Sequence, residues 1–117
     1  MKSIAVSIFL FGFFLTGCSE KCRSSCDKLY DETECGLQRP GTSQDVLKDA
    51  CIEYCTEAMR TGGELNDYDP YSRQNSTSAV TLDNRTQAAL WMECVEENSC
   101  ERLDYRSAQG GYCQPVW

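Results

Sequence analysis

The sequence predicts an all-α fold: a small disulfide-rich helical domain made of an antiparallel helical hairpin with paired CxxxC units and a third helix, with a long polar loop and an irregular C-terminal tail. Three observations predict it. Apolar residues recur at helical spacing in three segments, and no segment shows the alternation or β-branched content of a strand. Nine cysteines stand in 117 residues, a density that signals a disulfide framework in an exported chain. Two of the helical segments each carry a Cys-x3-Cys unit, Cys22/Cys26 and Cys51/Cys55.

The elements follow in order. Residues 20–35, EKCRSSCDKLYDETEC, place Cys22, Cys26, Leu29 and Tyr30 at i, i+4, i+7 and i+8, one face of a helix. Gly36 is its stop, and Arg39-Pro40-Gly41 makes a turn. Thr42 or Ser43 caps a second helix with Asp45 in its first turn. Its stripe runs through Val46, Leu47, Ala50, Cys51, Tyr54, Cys55, Ala58 and Met59, and Gly62-Gly63 ends it. Residues 64–81, ELNDYDPYSRQNSTSAVT, are polar and poor in aliphatics, which reads as a long loop. Asp83 then caps a third helix over 84–97, with Ala88, Trp91 and Val95 on one face and Leu90 and Cys94 alongside. CERLDY makes one more turn, and SAQGGYCQPVW returns irregularly through Cys113.

A spacing of four puts both thiols of a CxxxC unit on one helix face, one turn apart. Two such helices packed antiparallel are riveted twice, Cys22 to Cys55 and Cys26 to Cys51. This arrangement resembles the helical hairpins of twin-CxxxC proteins. The twenty-four residues between Cys26 and Cys51 exceed the connection in small hairpin peptides, and Cys35 is an addition to their pattern. Four thiolates also suit tetrahedral zinc, but zinc knuckles lie on loops, often with His, and the chain has no His. Disulfides are therefore expected and metal is not. Each bridge contributes about 2–4 kcal/mol, against roughly 5–15 kcal/mol for a whole domain. Cys35, Cys94, Cys100 and Cys113 allow three pairings. The expectation is Cys35 with Cys94, tying the third helix to the hairpin, and Cys100 with Cys113, closing the tail.

The ninth cysteine is Cys18. Residues 1–17 have the parts of an export signal: Lys2, a twelve-residue apolar run over 4–15, then small residues. The run is short for a transmembrane helix, which needs about twenty residues. Leu15-Thr16-Gly17-Cys18 resembles the lipobox of bacterial lipoproteins. That resemblance implies a leader, residues 1–17, cleaved before Cys18, and a mature domain over 18–117. It also implies a diacylglyceryl group in thioether linkage on the Cys18 thiol, with the freed amine acylated as well. Several acyl chains on one residue anchor a protein firmly to a membrane. By the same analogy Ser19, which is not the Asp of inner-membrane retention, favours the outer membrane. With Cys18 spent on lipid, eight cysteines remain, an even number. A wider similarity joins Trp91-Met92-Glu93-Cys94 and Cys100-Glu101-Arg102-Leu103, placed after paired CxxxC helices, to small cysteine-rich lipoproteins of gliding deltaproteobacteria. It implies a helical disulfide domain and no activity.

Loss of Lys2 with the leader leaves ten basic against eighteen acidic residues, a net charge of −8. Such a chain lacks the basic footprint that nucleic acid requires and gains nothing from anionic head groups. The absence of His removes Ser-His-Asp and Cys-His catalysis, c-type haem attachment and HExxH zinc sites, and no CxxC suggests a redox pair. No catalytic residue, cofactor or metal site is expected. The segment with a binding character is 66–75, where Tyr68, Asp69, Tyr71 and Arg73 suit a glycan or a protein partner. Glu64, Asp67 and Asp69 could hold Ca2+ there, although the EF-hand spacing and its closing Glu are missing. The same tyrosines lying back on the helices is the plainer expectation. The reading is a non-enzymatic structural or interaction module held at the cell envelope through Cys18. Its alternative is an inhibitor or ligand-binding module using the Tyr68–Asn75 loop.

Overall fold

The computed structural model describes residues 21–73 and 81–113. The expected leader, the LTGC motif and Cys18 lie outside the described residues. Helix α1 occupies residues 21–30, α2 Gln44–Met59, α3 Arg85–Glu97 and α4 Cys100–Leu103. Among the described residues the only sheet-like pairing is an isolated bridge between Arg39 and Thr42. The fold is all-α and disulfide-rich.

The first helical face is the expected one: Cys22, Cys26, Leu29 and Tyr30 are all buried. The helix stops at residue 30 rather than 35, and the cause is local competition for the backbone. The Asp31 carboxylate accepts both the N–H and the hydroxyl of Thr33 at 2.9 and 2.7 Å, which draws the chain out of the helix. The N–H groups of Cys35 and Leu37 donate back to the carbonyls of Lys28 and Leu29 at 3.0 and 2.8 Å. Gly36, at φ +55°, supplies the left-handed residue for this reversal. Cys35 thereby leaves the helix and sits beside its end.

Ser43 is the N-cap of α2, its hydroxyl accepting the Val46 N–H. Two disulfides join α2 to α1, Cys22–Cys55 and Cys26–Cys51, with Cα separations of 5.7 and 5.8 Å. Because the pairing ascends one helix while descending the other, the hairpin is antiparallel. The buried stripe of α2 is narrower than its apolar content suggests: Leu47, Cys51, Cys55 and Ala58 are buried, whereas Val46 is 57% and Tyr54 47% exposed. Those two occupy a shoulder that no other element among the described residues covers.

Past α2 the chain is non-helical over 61–73, in keeping with its polar composition, although Pro70 is buried and Tyr68 packs against the core. Helix α3 is capped one residue later than expected. Asn84 Oδ1 accepts the Gln87 N–H at 3.0 Å, and Gln87 Oε1 accepts the Asp83 N–H at 2.9 Å. This reciprocal pair is a variant of the capping box; Asp83, whose own N–H is the donor, stands just outside it. The buried face of α3 carries Ala88, Trp91, Met92, Cys94 and Val95 and packs against α2.

Neither α2 nor α3 has a basic residue in its last turn. Each receives a cation from elsewhere in the chain. Arg85 donates through Nε to the Met59 carbonyl at 2.9 Å and through its backbone to Thr61 at 2.8 Å. The Lys28 ammonium donates to the carbonyls of Val95, Glu96 and Asn98 at 2.6, 3.0 and 2.8 Å. All three of its protons meet carbonyls at the negative end of α3, where a positive charge stabilises a helix. Lys28 thus ties the end of α1 to the end of α3.

This tie corrects the remaining disulfides. The bridges are Cys35–Cys100 and Cys94–Cys113, not Cys35–Cys94 and Cys100–Cys113. Lys28 holds the reversal carrying Cys35 against residues 95–98, so the next cysteine beyond the helix end, Cys100, is its neighbour. Cys94 faces the interior, and the tail reaches it: the Cys113 N–H donates to the Pro70 carbonyl at 2.8 Å. The tail also requires Gly110, since a Cβ there would lie 1.6 Å from the Asp104 carbonyl oxygen. Ser99 caps the single turn of α4, which buries Leu103.

Candidate functional site

The four residues expected to meet a ligand lie on one non-helical stretch, and each is directed to the protein itself. Tyr68 packs against the core with its hydroxyl buried and unpaired, and burial, with the charge of Asp69, pushes the phenol well above its ordinary range. Asp69 Oδ1 accepts the Tyr71 N–H at 3.0 Å, an Asx turn that uses the carboxylate locally. The Tyr71 hydroxyl donates to Glu97 Oε2 on α3 at 2.9 Å. Desolvation, that hydrogen bond and the negative charges of Glu97 and Glu93 push Tyr71 up to about 12. Arg73 donates through Nε to the Gly110 carbonyl at 2.8 Å and through Nη2 to Ala108. The stretch is therefore a strap that fastens α3 and the C-terminal tail. The end of the expected loop, Gln74 and Asn75, lies outside the described residues.

Among the described residues no three His, Cys, Asp or Glu side chains converge as metal ligands; the weighed set Glu64, Asp67 and Asp69 is not gathered into one site. Among the described residues, surface depressions open to solvent in at least three places. One of about 340 Å³ is lined by Arg23, Asp27, Lys28, Glu34 and Glu96. The second, of about 380 Å³, lies over the Arg39–Thr42 turn beside Arg106. The third, of about 300 Å³, lies between α1 and α2, with Asp31, Glu32, Asp45 and Lys48 in its walls. There Asp31 is held below the usual carboxylate range, first by the Thr33 N–H and hydroxyl and then by the charge of Lys48. These shallow, charged surfaces contrast with the concave apolar sites that enclose small molecules.

The cysteines differ sharply in their surroundings. Cys22, Cys26, Cys51, Cys55, Cys94 and Cys113 have no exposed surface. Cys35 is half-buried and Cys100 is exposed. Cysteine spacing carries no sign of this difference, because it arises from the end of α3 and the cap at Ser99. Lys28 and Arg85 were equally invisible as end-caps, since their partners lie far along the chain.

No protein-family model, curated protein or solved structure matches this chain.

Proposed function

We propose that the chain is a lipid-anchored cell-envelope protein whose disulfide-pinned helical domain acts as a non-enzymatic structural or interaction module. One observation carries this reading. Eight cysteines pair among themselves, which leaves the ninth, Cys18, over in the count. It stands in LTGC, directly after an apolar run. A thiol in that position fits a thioether-linked diacylglyceryl group, and several buried acyl chains make attachment lasting. Three residues separate Cys18 from Cys22, a span of at most about 14 Å. The Cys22–Cys55 end of the hairpin then rests near the membrane and the Ser43 end points away. Ser19 favours the outer membrane. A ligand role for residues 68–73 is less well supported, because the polar groups of Asp69, Tyr71 and Arg73 are already used within the chain.

The test is intact-mass analysis of the full-length product, expressed with its own leader and extracted from membranes, before and after reduction. The wild type is expected to begin at Cys18, to carry a diacylglyceryl mass, and to gain eight hydrogens on reduction. Cys18→Ser is expected to lose both the lipid and the cleavage. A wild-type protein that is free of lipid would refute the anchor.

A further inference from the structure

We propose that Cys35–Cys100 is a thiol–disulfide exchange site through which a dithiol reductant uncouples the helical hairpin from the C-terminal region. Two independent features of the structure meet in this one bridge. It joins the half-buried Cys35 to the exposed Cys100, whereas the six other paired cysteines have no accessible surface. Exchange requires an attacking thiolate to reach a disulfide sulfur, so access decides which bridge reacts. A buried bridge reacts only after the surrounding structure opens.

The second feature is topological. Cys22–Cys55 and Cys26–Cys51 lie within the hairpin, and Cys94–Cys113 lies within the C-terminal region. Cys35–Cys100, closing 65 positions of sequence, is among the described residues the only disulfide between the two. The most accessible bridge is thus the one whose loss separates the parts while leaving each part cross-linked.

The reaction balances with a dithiol. One thiolate attacks the Cys100 sulfur, a mixed disulfide forms and Cys35 leaves as a thiolate. The second thiol of the reductant attacks its own half of the mixed disulfide and releases Cys100. The reductant is oxidised to its disulfide, and both cysteines take up a proton. What then holds the two parts together is the Lys28 ammonium on the carbonyls of Val95, Glu96 and Asn98, Arg85 on the carbonyls of Met59 and Thr61, and apolar packing. Residues 31–37 and 98–104 are released, while α2 stays fastened to α1.

The full oxidised chain, in non-ionic detergent, is treated with dithiothreitol for graded times at pH 8, alkylated, and mapped by peptide mass. Cys35 and Cys100 are expected to be labelled at least tenfold faster than every other paired cysteine. Hydrogen exchange on the partly reduced species should rise over 31–37 and 98–104 and remain unchanged over 46–58. Simultaneous labelling of all four bridges, or earlier labelling of any other, overturns the proposal. Selective labelling without faster exchange in those two segments overturns it as well, because the bridge would then couple nothing. The result does not depend on whether Cys18 carries lipid.

Discussion

The hairpin and the C-terminal region are both closed by disulfides, yet they are specified in different ways. In the hairpin each helix carries its thiols one turn apart, so helical geometry and antiparallel packing fix both partners at once. In the C-terminal region, Cys94, Cys100 and Cys113 are separated by a helix end, a single helical turn and an irregular tail. Their partners depend on where those reversals point, and that is set by Lys28 reaching from α1. Regular spacing encodes covalent pairing locally; at irregular positions the pairing is inherited from contacts made elsewhere. The same contrast appears in stability. The two regions share one apolar core, but the hairpin is pinned by two bridges of its own, whereas α3 and α4 are linked to it by a single one.

This contrast can be broken most forcefully at Trp91, which is fully buried on α3. Trp91→Ala should cost about 3–5 kcal/mol, read from urea denaturation. Protection from hydrogen exchange should collapse over α3 and α4 first, with α1 and α2 retaining theirs. Loss of all four helices together would mean that the two regions form one cooperative unit. Removing the connecting bridge with Cys35→Ala and Cys100→Ala should cost about 2–4 kcal/mol. The cost should fall on residues 31–37 and 98–104, with hairpin protection kept.

Lys28→Met, which keeps the apolar stem and removes the charge, should cost about 1–2 kcal/mol. Its signature is faster exchange at the end of α3, near residues 95–98, with the α2 end unaffected. Arg85→Ala serves as the converse, fraying the end of α2 by about 0.5–1 kcal/mol.

The smallest effect is at the strap. An ordinary phenol titrates near pH ~10, and Tyr71 is pushed up to about 12. A raised folded value means that the neutral phenol contributes stability fully below pH ~10, lost as pH rises from about 10 to about 12. Ultraviolet titration should therefore show tyrosine ionisation lagging in the folded protein. Tyr30 lags with Tyr71, pushed up by burial against a smaller opposing effect of Arg39, and so does Tyr68. Tyr71→Phe should remove part of the lag and leave the fold intact. A lag that Tyr71→Phe leaves unchanged would show the strap to be detached.

How much of this was legible follows the same division. Cys22, Cys26, Leu29 and Tyr30 announce their face by periodicity, and Leu47, Cys51, Cys55 and Ala58 announce theirs. Periodicity does not say how wide a neighbour is, so Val46 and Tyr54 fit the stripe and still face solvent. Gly36 was legible as a stop, but the Asp31–Thr33 turn ended α1 five residues earlier, because a side chain captured backbone donors. Asn84 and Gln87 spell a capping pair as legible as Asp83. Tyr68 and Tyr71 have the composition of a binding loop. Only the position of Glu97 and the core shows that they fasten the chain to itself. Lys28 and Arg85 have no local signal, because helix ends can be satisfied by any cation that folding brings near.

The most direct test is proteolytic mapping of the unreduced full-length protein. Glu96 and Glu97 offer cleavage between Cys94 and Cys100, Arg23 between Cys22 and Cys26, and Glu53 between Cys51 and Cys55. The account predicts four linked pairs, Cys22–Cys55, Cys26–Cys51, Cys35–Cys100 and Cys94–Cys113, with Cys18 in none of them. A peptide linking Cys35 to Cys94, or any bridge that includes Cys18, would contradict it.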